Sequence, residues 1–146
     1  MKISCFSKTR PPLPAIKDQI ADFLHNHLEA YGDPLPDIKK AMHYALEADL
    51  PGGFVLTATD GDVITGAVVI NRTGMEGYIP ENILVYIATH RDYRGRGIGR
   101  KLMQYAIEHA TGDIALHVEP DNPAKRLYEE LGFTNKYLEM RLKKKL

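Results

Sequence analysis

The stretch Tyr93-Arg94-Gly95-Arg96-Gly97-Ile98-Gly99-Arg100-Lys101 decides the fold, because it joins an apolar run to a helical pattern through a glycine-rich turn. Residues 83–89 are almost wholly apolar, which predicts a central strand buried on both faces. After the turn, apolar residues recur at helical spacing, as Ile98, Leu102 and Ala106 do. The sequence therefore predicts a strand, a turn and a helix in that order.

The chemistry of this turn suits a phosphate group. Glycines at 95, 97 and 99 allow positive φ and let backbone N–H groups approach an anion without an intervening Cβ. The first N–H groups of the following helix have no partner inside it, and the helix dipole adds partial positive charge there. The sequence contains no Gly-Lys-Ser/Thr of a P-loop, and its glycine spacing departs from the dinucleotide fingerprint.

A second informative stretch covers residues 122–133. Asn122 is a good helix N-cap, Pro123 suits the first helical position, and Gly132 can end the helix. Leu127, Tyr128 and Leu131 then share one face, which directs the Tyr128 side chain toward the sheet.

Together, the two stretches resemble the GNAT superfamily of N-acetyltransferases. Arg94-x-x-Gly97-x-Gly99 is similar to its Arg/Gln-x-x-Gly-x-Gly/Ala acyl-CoA signature, and residues 122–133 are similar to its second motif. The resemblance implies an α/β (α+β) fold, with a GNAT-like mixed, mostly antiparallel central sheet and helices on both faces. One such domain is expected over residues 1–146.

By this resemblance the co-substrate is acetyl-CoA. Its pantetheine arm would pair with the strand before the turn, and its diphosphate would bind the turn itself. Arg94 and Arg96 are the expected counter-charges, and Asn122 is expected near the cofactor. The full set of predicted contacts is Ile87, Ala88, Thr89, Arg94, Gly95, Arg96, Gly97, Ile98, Gly99, Arg100 and Asn122.

The implied reaction is acetyl transfer to a primary amine by direct attack in a ternary complex. An alkylamine must lose a proton before it attacks, and the CoA thiolate benefits from a proton as it leaves. By resemblance Tyr128 is the candidate acid at the thiol. Glu81 is the nearest carboxylate that could act as the base, with His117, Glu119 or a water chain as alternatives.

The acceptor amine is not readable from the sequence. We expect two N-terminal helices and the loop over residues 71–81 to shape its site. Four side chains there could bind a cation: Tyr31, Asp33, Tyr78 and Glu81.

Other segments follow from periodicity and turn signals. Strands are predicted over residues 2–6, 54–59, 63–70, 114–118 and 134–142, and helical stripes over 16–31 and 38–46. Asp60-Gly61-Asp62 predicts a hairpin turn. An exposed strand near the C-terminus would allow a homodimer.

The composition of the chain disfavours several other classes of function. Lys plus Arg equals Asp plus Glu at 19 each, so the chain has no charge bias toward nucleic acid or a membrane surface. This opposes a nucleic-acid-binding Arg-Gly module. The single cysteine, Cys5, and the lack of a signal sequence or a transmembrane-length run predict a cytoplasmic protein. The histidines lack metal-ligand spacing, so no metal is expected. The alternative to an enzyme is an acyl-CoA-binding sensor or interaction module without turnover.

Overall fold

The computed structural model describes residues 1–47 and 49–145 and contains one five-stranded sheet. Its strands are β1 (Lys2–Phe6), β2 (Gly53–Asp60), β3 (Val63–Arg72), β4 (Asn82–Thr89) and β5 (Ile114–Leu116), hydrogen-bonded in that order. Neighbours from β1 to β4 are antiparallel, and β4 pairs with β5 in parallel. The predicted mixed, mostly antiparallel sheet is confirmed.

The helices are α1 (Pro14–His27), α2 (Leu35–Leu46), α3 (Ile98–His109) and α4 (Ala124–Glu130), and short 3-10 turns cover Glu29–Tyr31 and Arg91–Tyr93. Contacts divide the chain into two compact units, Met1–Leu116 and His117–Leu146. The first unit holds the sheet and α1 to α3, and the second holds α4. The expectation of a single domain over the whole chain stays a prediction.

Helices cover both faces of the sheet in the first unit. On one face, Ile20 and Leu24 of α1 and Ile38 of α2 are fully buried in a cluster with Val69. On the opposite face, a Cβ added to Gly66 of β3 would lie 2.6 Å from the Leu102 side chain of α3. Burial of these apolar side chains is the main force that holds the layers together.

Most element boundaries agree with the sequence to within two residues. The hairpin forms as predicted, with Gly61 at φ 60° between β2 and β3. The first helix ends earlier than its apolar stripe, at His27, and Glu29 then adopts φ 56°. Glu29 is the one non-glycine residue with positive φ in the described part of the chain.

Burial on both faces is found in β3, where Thr65–Ile70 are six consecutive buried residues, and in β2, where residues 54–58 are five consecutive buried residues. In β4, buried residues alternate with half-buried ones. The prediction for residues 83–89 was wrong in this respect, because an apolar sequence does not show how completely other elements cover each face of the strand.

The predicted terminal strand over residues 134–142 is also wrong. Residues 133–145, as described, form neither helix nor strand, and Leu138, Met140 and Leu142 are 84–92% exposed. Alternating apolar residues favour a strand only where a neighbouring strand supplies backbone partners. Without this strand, the structure gives no support from an exposed C-terminal strand edge for the expected homodimer, which stays a prediction.

No helix within residues 1–47 and 49–145 is long and apolar enough to cross a membrane.

Candidate active site

The glycine-rich turn lies between the Arg91–Tyr93 3-10 turn and α3. Gly95 and Gly97 have φ of 78° and 79°, a left-handed conformation that L side chains rarely adopt. Gly97 immediately precedes α3, and its carbonyl accepts the Lys101 N–H at 3.1 Å. A Cβ built on either glycine meets no heavy atom of the described chain within 4 Å. The turn thus needs glycine for its backbone conformation and also leaves open space beside it.

The first turn of α3 contains Ile98, Gly99 and Arg100 and no acidic residue. Its unsatisfied N–H groups and the helix dipole favour an anion at this end. The Arg96 guanidinium lies over the Tyr93 ring, 4.8 Å from its centroid, a cation–π contact that holds this cation against the turn.

Arg91 of the 3-10 turn and Arg94 of the glycine-rich turn both contact the end of α1 and the residues that follow it. Arg94 Nη2 lies 3.4 Å from the Glu29 carboxylate and 3.3 Å from the His27 carbonyl oxygen. Arg91 Nη2 donates to the Asn26 carbonyl at 3.0 Å. The predicted role of Arg94 as a phosphate counter-charge therefore requires its guanidinium to exchange Glu29 for phosphate or to contact both.

A pair of histidines supports the same junction. The rings of His27 and His90 are 4.3 Å apart, and the Arg91 N–H donates to His27 Nδ1 at 3.3 Å. Burial first, and then the electrostatic effects of the neighbours His90, Arg91 and Arg94, lower the pKa of His27. A neutral His27 ring is consistent with its Nδ1 acting as an acceptor.

The strand before the turn has an unpaired edge. Within the described residues, β4 pairs with β5 only over Asn82–Leu84. On the β3 side the register shifts, so that Tyr86 lies opposite Val69 and Leu84 opposite Ile70. Val85 is therefore the extra residue of a β-bulge, a feature common near active sites. The backbone beyond Leu84 can pair with an added extended ligand.

The predicted acyl-CoA contacts Ile87, Ala88 and Thr89 all lie in this unpaired part of β4. Ala88 is buried in the cluster under α1 and α2, whereas Ile87 and Thr89 are half-buried. The structure thus brings together, in one unit, the predicted strand contacts and the predicted turn contacts from Arg94 to Arg100.

Glu81 has a different environment from that expected of a base. Its carboxylate accepts the N–H groups of Asp113 at 2.7 Å and Gly77 at 2.8 Å, and these bonds lower the pKa of the carboxyl. A Cβ on Gly112 would lie 2.4 Å from Glu81 Oε1. Glu81 also precedes β4, at the strand end away from the glycine-rich turn. These contacts favour a structural role, and the catalytic role stays a prediction.

Tyr128 and Asn122 lie in the second unit. Tyr128 is 6% exposed, packs edge-on against Phe133 with ring centroids 6.0 Å apart, and has a pKa raised by burial to about 12. Asn122 Oδ1 accepts the Ala124 N–H at 2.9 Å at the start of α4. The predicted capping by Asn122 is thus present, one residue before the Pro123 cap position.

One contact was missed from the sequence. The Tyr86 hydroxyl of β4 donates to Asp33 Oδ2 at 2.5 Å, and Tyr86 is 7% exposed. Burial and then Asp33 raise the pKa of Tyr86. The two residues are 53 positions apart, so no local pattern could have linked them. Tyr78, another candidate for the acceptor site, is 81% exposed.

Groups of three or more His, Cys, Asp or Glu side chains able to hold a metal ion are absent from the described residues.

Comparison with known proteins agrees with this geometry. The model of the acetyltransferase (GNAT) family matches residues 18–133. A curated relative, N-alpha-acetyltransferase 30 from Schizosaccharomyces pombe, is 33% identical over 85 residues, which are 55% of this chain and 57% of the relative. The chain therefore matches a little over half the length of that relative.

Solved structures share the fold. A ribosomal-protein-alanine N-acetyltransferase from Brucella melitensis superimposes with a TM-score of 0.66 at 16% identity, covering 100% of both chains. An aminoglycoside antibiotic 6'-N-acetyltransferase from Acinetobacter haemolyticus gives a TM-score of 0.70 at 17% identity, covering 100% of this chain and 99% of that one. At these identities the likeness establishes the fold alone. The family match over residues 18–133 goes further, and it shows that the chain belongs to the GNAT family of acetyltransferases.

Proposed function

We propose that this chain transfers an acetyl group from acetyl-CoA to a primary amine by direct attack in a ternary complex. The observation that carries the proposal is the unpaired edge of β4, which leads into a turn whose left-handed Gly95 and Gly97 border open space. An extended pantetheine arm fits the edge, and a diphosphate fits the N-terminus of α3.

The chain supplies binding and orientation through its backbone. N–H groups of the turn hold the diphosphate, and the backbone of Ile87 and Thr89 pairs with the arm. The bulge at Val85 changes the direction of β4 at the point where its pairing with β5 ends. Holding the donor at this edge places its reactive carbonyl in a fixed position for attack.

Tyr128 acts on the leaving thiol in this proposal. A free thiol has a pKa of about 8.5, well below the value of about 12 for the Tyr128 hydroxyl. Complete proton transfer from Tyr128 to the thiolate is therefore unfavourable. Tyr128 instead stabilises the developing thiolate by donating a hydrogen bond.

An α-amino group is the acceptor that fits best. Its ordinary pKa of about 7.7–8.0, against about 10.4 for lysine, leaves a large neutral fraction near pH 7.5 without a strong base. This matters because β4 contains no carboxylate and the Glu81 carboxylate is engaged by two backbone N–H groups. The name of the Schizosaccharomyces pombe relative supports the same class of acceptor.

The test is release of free thiol from acetyl-CoA across polyamines, amino acids, aminoglycosides and peptides with free N-termini. Each peptide is paired with its N-acetylated form, and a protein-only control accounts for the thiol of Cys5. We expect release with free peptide N-termini and none with the blocked forms. Acetyl-CoA binding without release for any amine would instead support a sensor, and no binding would overturn the proposed use of the turn.

We also propose a cytoplasmic location, supported by the single unpaired Cys5, which suits a reducing compartment.

A further inference from the structure

A cavity of about 410 Å³ lies at the end of the sheet away from the glycine-rich turn. Asn82, which begins β4, and His109, which ends α3, both line it, whereas the turn joins the other ends of these two elements. Since α3 has 12 residues and is about 18 Å long, the cavity is well separated from the proposed acyl-CoA site. Its volume falls within the range of about 300–1,000 Å³ that is usual for ligand pockets.

The charges around this cavity have one sign. Lys8 and Arg72 line it, and no Asp or Glu among the described residues does so, although acidic and basic residues are equal in number in the whole chain. Lys8 Nζ donates to the Leu50 carbonyl, which holds the Lys8 side chain in place. A cleft lined by charges of one sign concentrates counter-ions. The cavity therefore attracts anions.

The Arg72 side chain is available to such an anion. The Arg72 carbonyl accepts the Tyr44 hydroxyl at 2.7 Å, but the guanidinium has no hydrogen-bond or ion-pair partner in the described part of the chain. Arg72 lies opposite Asn82 in the register of β3 and β4, so the two side chains are neighbours on the same face of the sheet.

The Asn82 side chain is 98% buried and held rigidly, since Asn82 is 2% exposed. Its Nδ2 donates to the carbonyls of Thr111 at 2.8 Å and Asp113 at 3.2 Å, and its backbone N–H also donates to the Asp113 carbonyl, at 3.0 Å. These bonds use both amide hydrogens. The orientation of the remaining polar atom, Oδ1, is therefore fixed.

Asn82 Oδ1 has no hydrogen-bond partner among the described residues. Every fully buried side-chain nitrogen or oxygen atom of those residues does have a partner, so Oδ1 must reach open space. The cavity that Asn82 lines is that space. An acceptor on an almost wholly buried side chain requires a donor, which here comes from a ligand or from water.

Other polar groups of the lining are also held in place. The His109 ring lies edge-on to Phe54 with centroids 4.7 Å apart, and its Nε2 is 3.6 Å from Cys5 Sγ, which leaves Nδ1 without a partner in the described chain. The hydroxyl oxygens of Ser7 and Thr9 are 3.1 Å apart, and both residues line the cavity. Hydroxyl and imidazole groups can each donate to a bound oxyanion.

We infer that this cavity is a second ligand site, which binds a small carboxylate or phosphate ester that carries a neighbouring hydroxyl group. The Arg72 guanidinium binds the oxyanion, for which its planar pair of N–H donors is suited, and Asn82 Oδ1 accepts the hydroxyl hydrogen. The site goes beyond the proposed function and does not depend on it.

A purely structural explanation gives a different expectation. Asn82 ties residues 111–113 to the start of β4, and this alone could account for an asparagine at that position. In that case the cavity holds water, and hydroxylated anions do not bind there.

Nuclear magnetic resonance of the full, ¹⁵N-labelled chain separates the two explanations. Saturating CoA is present, to keep added anions away from the glycine-rich turn. The probes are glycerol 3-phosphate and glycerate, each paired with a form that lacks hydroxyl groups, propyl phosphate and propionate respectively. We expect saturable shifts of the Asn82 side-chain amide and the Thr111 backbone amide. The hydroxylated member of a pair should bind about 2- to 10-fold more tightly, because it keeps one neutral hydrogen bond more.

Arg72→Gln tests the charged contact. It should raise the Kd of the better hydroxylated probe about tenfold or more, because a charge-assisted hydrogen bond is lost. Its Tm should stay at the wild-type value, since the guanidinium has no protein partner to lose. Arg126→Gln, which removes an 89% exposed guanidinium from α4, is the matched control and should leave the Kd unchanged.

Three results would overturn the inference. The first is the absence of saturable shifts at Asn82 with all four probes. The second is equal affinity within both pairs of probes, and the third is an equal Kd for wild type, Arg72→Gln and Arg126→Gln. None of these results bears on acetyl transfer, which thiol release measures separately.

Discussion

Replacement of Gly97 by alanine tests the glycine-rich turn most directly. Gly97 has φ 79° and ψ 12°, and an alanine held in this left-handed region costs about 1–2 kcal/mol. The structure adds no steric cost, because a Cβ there meets nothing within 4 Å in the described chain. For a protein of 146 residues, 1 kcal/mol shifts Tm by about 2–4 °C, so Gly97→Ala should lower Tm by about 2–8 °C.

The effect on the ligand should be larger than the effect on folding. The added Cβ projects into the space proposed for the diphosphate and keeps the phosphate oxygens away from the backbone N–H groups. Loss of one hydrogen bond to a charged group costs about 1.5–3 kcal/mol. The Kd for acetyl-CoA should therefore rise about 10- to 150-fold.

Gly61 provides a matched control at the tip of the β2–β3 hairpin. It has φ 60°, and a Cβ added there also meets nothing within 4 Å among the described residues. Gly61→Ala should lower Tm by a similar amount and leave the Kd unchanged. Isothermal titration with acetyl-CoA and calorimetric unfolding measure both quantities. If Gly97→Ala and Gly61→Ala lose equal stability and both bind acetyl-CoA like wild type, the turn does not hold the diphosphate.

Three further predictions use single variants. Tyr128→Phe should lower kcat with little change in the Kd for acetyl-CoA, and a variant with wild-type kcat would contradict the proposed role. Because the Tyr128 pKa is about 12, wild-type kcat should show no fall from Tyr128 ionisation below about pH 10. Glu81→Gln should lower Tm at neutral pH and leave kcat unchanged, whereas a large drop in kcat would support Glu81 as the base. Because the folded pKa of Glu81 is depressed, its contribution to stability is present above the unfolded value of 4.5 and is lost as the pH falls through the folded pKa. The lowered pKa of His27 acts in the same direction. Wild-type stability should decline as the pH falls below 6.5, because the ring gains a proton in the unfolded state there while the folded ring stays neutral and keeps accepting from the Arg91 N–H. His27→Gln should flatten that part of the Tm profile.

Local sequence patterns predicted the strands, turns and helices that form the candidate site, but they could not predict contacts between residues far apart in the chain. The Asp60-Gly61-Asp62 turn and the Gly97 start of α3 depend on backbone conformations that neighbouring residues determine, so both could be predicted. The link between Asp33 and Tyr86 depends on how α1 and α2 pack on the sheet, which spacing along the chain does not encode.

The prediction of Glu81 as the general base shows a second limit of sequence-based reasoning. In the sequence, Glu81 is the acidic residue nearest to the apolar strand, and this proximity makes it the predicted base. The backbone N–H groups that occupy its carboxylate come from Gly77 and from Asp113, 32 positions away. Proximity in sequence gave the residue type but could not show that the Glu81 carboxylate was already bound. The prediction of a strand over residues 134–142 was wrong for a related reason, because alternating apolar residues do not by themselves supply a partner strand.

The unpaired edge of β4 also bears on how the protein behaves in storage. Exposed strand edges are templates for association between copies of a chain, and residues 85–89 include the apolar Val85, Ile87 and Ala88. A bound acyl donor that pairs with this edge would shield it in the way that an added strand shields a sheet. The ligand-free protein should therefore aggregate at a lower concentration than protein kept with CoA. The amide hydrogens of Ile87 and Thr89 should exchange with solvent more slowly once CoA is added.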